Sequence, residues 1–208
     1  MNSPLISVII PTYQRYGLLT KRALPSVFAQ TVSDQEILVI GDGTDGWTVR
    51  AMRREPRVRF WNLPHQQYPD DPEERWGLLG LDALNFGLDH AMGEWIAVLG
   101  DDDEWLPDHH EVLLRCAEET GADHVYGMSE TWKDGKLTDQ VYGVWPPGAS
   151  QFCDGANLWR RSLGYRYDRQ CWDRKLPEDG DMWERQVTDG VKFGFVPEVV
   201  HKYHRHYP

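Results

Sequence analysis

Four short apolar runs, each ending in a polar turn and separated by stretches of helical periodicity, constrain this chain more than any other feature. Residues 5–10 are apolar and largely β-branched and close at Pro11. Glu36-Ile37-Leu38-Val39-Ile40 runs into Gly41-Asp42-Gly43-Thr44-Asp45-Gly46, residues 58–62 form a third run, and residues 94–99 enter Gly100-Asp101-Asp102-Asp103. Near-continuous apolar runs of this length mark parallel strands buried on both faces. Between them, residues 18–30 place Leu18, Leu19, Ala23, Leu24, Val27 and Phe28 at helical spacing, with Pro25 a local distortion. Residues 76–90 predict a second helix capped by Gly93, and Pro107 opens a third that reaches about Thr120. Strands alternating with helices give an α/β layer with a mainly parallel sheet. Such sheets bind ligands beyond the carboxyl ends of their strands. The turns holding Thr12 to Arg15, Asp42 to Asp45 and Asp101 to Asp103 are therefore expected to face one crevice.

The second half is less regular. Residues 124–132 and 140–145 read as a hairpin turning at Asp134-Gly135. Residues 157–165 suit a short helix or strand, 178–187 a helix, and 191–195 and 198–203 two late strands. No repeat or linker divides the 208 residues, so a single domain is expected.

Composition narrows the function classes. The net charge of −11 disfavours an extended nucleic-acid surface, because affinity for phosphate backbones rests on Lys and Arg. An acidic protein still binds a nucleoside diphosphate when a metal supplies the positive charge. No apolar run approaches the ~18 residues of a membrane span, and the start lacks the pattern of a signal peptide, so a soluble, cytoplasmic protein is expected. Cys116, Cys153 and Cys171 form no CxxC pair and read as free buried thiols. Ten tryptophans exceed what packing alone requires, and among those of the second half Trp159 and Trp183 are candidates for stacking on a sugar acceptor.

Three consecutive carboxylates at a strand end either form a solvated turn that caps the following helix or share a cation. Their position at the ligand-binding edge favours the cation. Hard oxygen ligands suit Mg²⁺ or Mn²⁺ held jointly with substrate phosphates.

Four stretches then resemble the inverting family 2 glycosyltransferases. They are residues 7–15 (Ser-Val-Ile-Ile-Pro-Thr-Tyr-Gln-Arg), the segment 36–45 with its Gly-Asp-Gly-Thr-Asp turn, the helix and strand from Ala83 to Leu99, and Pro177-Glu178-Asp179-Gly180-Asp181-Met182-Trp183. The resemblance implies a GT-A fold over 1–208, with a nucleotide-sugar half at about 1–107 and an acceptor half at about 108–208. It implies transfer of a sugar from a nucleoside-diphosphate sugar, UDP by default, to an acceptor hydroxyl. Asp179 would be the base and Glu178 its positioning neighbour, with Asp181 touching the acceptor. Pro11, Thr12, Tyr13, Arg15, Asp42 and Asp101 would bind the donor, with Arg75 a candidate donor-side cation. Asp102 would be the metal ligand and Asp103 would support it. In the tail, His206 fits the family's spacing for the metal or diphosphate, ahead of His204, while Arg205 and Lys202 would neutralise the leaving group. The family's first metal-turn Asp falls on Gly100 here, the first Asp of its second-strand turn on Gly41, and its Arg before Asn85 on Leu84. His109 and His110 read as surface residues on the helix after the metal turn. The acceptor stays open: a lipid-linked sugar, a polysaccharide, a small molecule, a protein or a modified nucleobase. Two other functions remain, a nucleotidyltransferase and a non-catalytic nucleotide-sugar binding module. The first would want a glycine-rich basic loop after strand one, which Pro11-Thr12-Tyr13-Gln14 does not provide.

Overall fold

The computed structural model describes residues 3–148, 151 and 153–205. The strands are β1 (Ile6–Thr12), β2 (Gln35–Asp42), β3 (Val58–Leu63), β4 (Trp95–Val98), β5 (Glu104–Trp105), β6 (His124–Lys133), β7 (Lys136–Tyr142), β8 (Asn157–Arg160) and β9 (Phe193–Arg205). They form one sheet in the order β3-β2-β1-β4-β8-β6-β9-β5, with β7 paired to β6. The first four strands are mutually parallel. β8 joins antiparallel to β4 and β6, while β9 runs parallel to β6 and carries β5 antiparallel on its far side.

Strand periodicity builds two core layers. Ile6, Val8 and Ile10 of β1, with Ile37 and Val39 of β2, pack under Leu24, Val27 and Leu113. Ile9, Leu38 and Ile40 point the other way, onto Leu81, Leu84 and Leu88. The helices are α1 (Tyr16–Leu18), α2 (Leu24–Phe28), α3 (Gly46–Met52), α4 (Pro72–Trp76), α5 (Leu81–His90), α6 (His109–Thr120) and α7 (Glu178–Thr188). None is long and apolar enough to cross a membrane among the described residues.

The departures from the sequence reading have local causes. Between α1 and α2 lies a π turn, Leu19–Ala23, in which the Leu24 N–H reaches Leu19 O. It precedes Pro25, which has no N–H to give an α-helical ladder. The helix expected over 76–90 begins only at Leu81, as α5, because Gly80 adopts φ +74 just before it; α4 precedes it and shares only Trp76 with that span. α5 ends at His90 with Ala91 extended, so Gly93 is not its cap. Gly93 instead lets β1 approach, since a Cβ there would lie 2.5 Å from Ser7 N. The two late strands are one, β9, continuous through Pro197 because register shifts around Met128 on β6 absorb the missing donor.

His109 and His110 are fully buried rather than superficial. The first turn of α6 tucks beneath Trp105, whose ring stacks on His109 at 4.4 Å and 19°. Their Nδ1 atoms meet at 2.9 Å, and His110 Nε2 reaches Gln35 Oε1 at 3.2 Å. Burial holds both imidazoles neutral, pushing His110 down to about 3 and His109 well below its usual value.

Candidate functional site

The carboxyl ends of β1, β2 and β4 open onto one cleft of about 870 Å³. Pro11, Thr12, Tyr13 and Arg15 line it from the first turn, Asp42 from the second, Asp101 and Asp102 from the third, and Arg75 from the edge. Gln14 takes φ 52 as the chain leaves β1, and its N–H meets Thr44 Oγ1 at 3.1 Å, joining the first two turns. Asp45 does not face the cleft: it caps α3, accepting from Trp47 N and Thr48 N.

Asp101 is 5% exposed, and Thr12 Oγ1 donates to its Oδ2 at 2.7 Å. Arg15 bridges it to Asp102, bonding Asp101 Oδ1 at 3.3 Å and Asp102 Oδ2 closely. Burial, reinforced by the Asp102 charge, pushes Asp101 up to about 6 despite those donors. Arg22 holds the Asp102 carbonyl at 2.6 Å, so the acidic turn is gripped by two arginines of the segment after β1.

Asp103 points away from the cleft toward β9. Its Oδ1 accepts the His204 N–H at 2.7 Å, and its Oδ2 lies 3.6 Å from His201 Nε2. That nitrogen is fully buried and has no hydrogen-bond partner among the described residues. His204 Nε2 bonds Glu104 Oε1 at 3.0 Å. His206 lies outside the described residues. Among the described residues, His201, which the sequence candidates did not include, joins His204 beside the acidic turn. Lys202 lies 3.6 Å from Glu104 and 5.5 Å from the Trp132 ring, and Arg205 reaches Gln140 at 3.4 Å.

No three His, Cys, Asp or Glu side chains among the described residues converge as a complete metal-ligand set. The donor chemistry at Asp102 and Asp103 still suits a hard cation that draws its remaining ligands from diphosphate and water.

A second acidic group lies at the start of α7. Glu178 and Asp179 occupy its first turn, and Asp179 Oδ1 accepts the Gly180 N–H at 2.6 Å. Asp154, absent from the sequence-derived candidates, stands close enough to repel both. Tyr167 donates its hydroxyl hydrogen to Asp154 Oδ2 at 2.7 Å, and Asn157 Nδ2 donates to Oδ1 at 3.3 Å. Asn85 clamps the Tyr167 backbone at both its N–H (3.0 Å) and its carbonyl (2.8 Å). Each of the three acids keeps part of its surface open to solvent, but protein surrounds their carboxyl groups. Burial first, then the Asp179 charge, lifts Asp154 to about 7 and Glu178 well above its usual value. Burial likewise lifts Asp179 to about 6.

The three acceptor candidates are structural. Trp159 and Trp183 are each 1% exposed and belong to the core between the sheet, α5 and α7. Asp181 is 1% exposed and is bound by Arg174 and by Arg185 Nε at 2.9 Å. Neither ring offers a face to solvent, and the carboxylate is already neutralised. Arg75 is exposed, and its guanidinium bonds the carbonyls of Pro69 (3.1 Å) and Asp70 (3.3 Å).

The family model for glycosyl transferase family 2 matches residues 7–176. The GalNAc(5)-diNAcBac-PP-undecaprenol beta-1,3-glucosyltransferase of Campylobacter jejuni is 32% identical over 145 residues, 67% of this chain and 43% of that protein. The succinoglycan biosynthesis protein ExoW of Rhizobium meliloti is 35% identical over 111 residues, 50% of this chain and 31% of that one. The chain thus spans less than half the length of these relatives. Among solved structures, S. aureus TarS 1-349 in complex with UDP superposes with a TM-score of 0.72 at 15% identity, covering 97% of this chain and 60% of that one. The mannosyltransferase PcManGT from Pyrobaculum calidifontis, in complex with GDP-Man and Mn2+, gives 0.67 at 16%, covering 100% and 58%. At such identities the likeness is one of fold, the GT-A arrangement with a mixed, curled sheet.

Proposed function

The chain belongs to glycosyl transferase family 2, and on that premise we propose that it transfers a sugar, with inversion, from a nucleoside-diphosphate sugar to an acceptor hydroxyl. One observation carries the reading: three strand-end turns converge on a single cleft in which Thr12 holds the buried Asp101 and Arg15 joins it to Asp102. The two solved neighbours were captured with UDP and with GDP-Man, which supports a nucleotide-sugar donor, UDP-linked as the first choice. Residues 1–107 would bind the donor and 108–208 the acceptor, in a cytoplasmic protein.

Pro11, Thr12 and Tyr13 would flank the nucleotide, and Asp101 its ribose. Asp102, supported by Asp103 and the histidine-bearing tail, would hold Mn²⁺ or Mg²⁺ together with the diphosphate. Such a cation, when bound, neutralises charge on the departing diphosphate. Arg15 would be released from the acidic pair to face the diphosphate, where a guanidinium stabilises developing negative charge. On the acceptor side Asp179 would take the proton from the hydroxyl as its oxygen bonds the sugar's anomeric carbon and the bond from that carbon to the diphosphate oxygen breaks. A carboxylate that burial has made more basic is suited to that step. Asp154, fixed by Tyr167 and Asn157, is raised above Asp179 and would hold the proton the pair shares while Asp179 is ionised.

The test is hydrolysis or transfer assayed across UDP-sugars and GDP-mannose with Mn²⁺. Slow release of UDP from one donor is the expected result. Release of pyrophosphate from a nucleoside triphosphate, with no nucleotide-sugar turned over, would replace the reading with a nucleotidyltransferase.

A further inference from the structure

Asp42 poses a difficulty for nucleotide binding. It sits at the end of β2 where a base would find an acceptor, yet its side chain is 7% exposed and closed in by protein donors. Gln66 N–H donates to Oδ1 at 2.5 Å and the Tyr68 hydroxyl to Oδ2 at 2.8 Å. His65 Nδ1 completes the enclosure, 3.3 Å from Oδ2 and 3.1 Å from the Asp42 carbonyl oxygen. The same imidazole lies flat on Tyr13, with ring centroids 4.5 Å apart and planes 15° from parallel. Of the three groups on Asp42, His65 is the one half open to solvent, at 46%. It also borders the cleft. Gly43 brings it there: at φ +64, and with a Cβ position only 2.7 Å from His65 Cβ, only glycine lets the two segments pack so closely.

We propose that His65 is a built-in competitor of the donor's base, its imidazole holding the Tyr13 face and the Asp42 edge that a nucleobase would use. The inference deepens the donor reading and rests on it. A planar ring with its Nδ1–H on the Asp42 carbonyl oxygen, 3.3 Å from Oδ2, and a face on Tyr13 fills the space in which the N3–H of uracil or the N1–H of guanine would make the same two kinds of contact. Binding therefore requires His65 to swing out. A base restores what Asp42 loses only if it presents a ring N–H, which favours uracil and guanine over adenine and cytosine. The competitor itself does not discriminate. It divides every nucleotide's apparent affinity by the same factor, the fraction of molecules in which the site is clear. One stacked ring pair and one hydrogen bond set that factor at about tenfold.

Calorimetric titration of wild type and His65→Ala with UDP, GDP and inorganic pyrophosphate, all with MnCl₂, separates the outcomes. The expected result is an equal gain of about tenfold for UDP and GDP in His65→Ala and no change for pyrophosphate. Nuclear Overhauser contacts between the His65 and Tyr13 rings should be present in the free protein and lost at saturating UDP. Weaker UDP binding by His65→Ala makes the imidazole a wall of the base site and overturns the proposal. Ring contacts that persist at saturation overturn it equally. If neither UDP nor GDP binds either protein, the donor reading itself falls and takes this inference with it.

Discussion

The Thr12 hydroxyl donates to Asp101 Oδ2 at 2.7 Å across 89 residues of sequence, tying the end of β1 to the turn after β4. With Arg15 on the opposite side of Asp101, this bond makes the acidic turn part of the first turn's geometry. Donor binding and the order of these two loops should therefore rise and fall together.

Asp102→Asn tests the cation. In a thermal-shift assay, UDP with Mn²⁺ should raise the melting temperature of the wild type, as any ligand of the native state does by mass action. Asp102→Asn should lose the manganese-dependent part of that shift. An undiminished shift would remove Asp102 from the metal site.

Asp179→Asn should keep the full shift with UDP and Mn²⁺ while transfer falls by about 10² to 10⁴-fold, the usual range for loss of a general base. Turnover within a few-fold of wild type would mean that another group takes the proton.

The pH profile should betray the coupled acids. Asp154 and Asp179 are both raised, to about 7 and about 6, and share one proton in that interval. A base must be unprotonated, so transfer should decline as pH drops from about 7.5 to 5.5. Burial lifts Asp179, and the Asp179 charge in turn lifts Asp154, so Asp154→Asn should leave the acid limb in place near pH 6. A limb that moves down would make Asp154 a cause of the base's raised value.

The same pair bears on stability. A carboxyl whose pKa is higher folded than unfolded stabilises the native state while protonated, and that contribution is lost as pH rises through the folded value. Asp154→Asn should therefore be more stable than wild type at pH 8, by on the order of 1 to 3 kcal/mol. The advantage should disappear below about pH 4. Urea unfolding at the two pH values measures it.

Asp181→Ala distinguishes a structural salt bridge from an acceptor contact. Removing a buried carboxylate from Arg174 and Arg185 should cost about 2 to 4 kcal/mol, the arginines being partly solvated already. Donor affinity should be unchanged. A loss of transfer with no loss of stability would reinstate Asp181 as an acceptor ligand.

The cleft at the strand ends was legible because its information is local. Residues 6–12 and 35–42 alternate between two core layers with a strand's period, and the polar residues just after them had only one edge to occupy. What stayed hidden depended on tertiary placement. His109 and His110 look solvent-facing in a polar stretch, and only the Trp105 ring packed over them takes them out of water. Asp154 sits in an aperiodic segment and is drawn to Asp179 by Tyr167, which is itself set by Asn85 on a different helix. No pattern within ten residues of Asp154 signals that meeting. Trp159 and Trp183 were misassigned because a count of aromatics does not say which way they face.

β9 carries a consequence for how the molecule is made. The His204 amide that fixes Asp103 lies 101 residues downstream of it, on the last strand of the sheet. On a translating ribosome, the β1 to β4 unit emerges with its acidic loop already gripped from one side by Arg15 and Arg22. The loop then waits for half the polypeptide before its other side is secured. A nascent chain stalled short of residue 193 should therefore hold a nearly complete β1 to β4 unit and no finished Asp103.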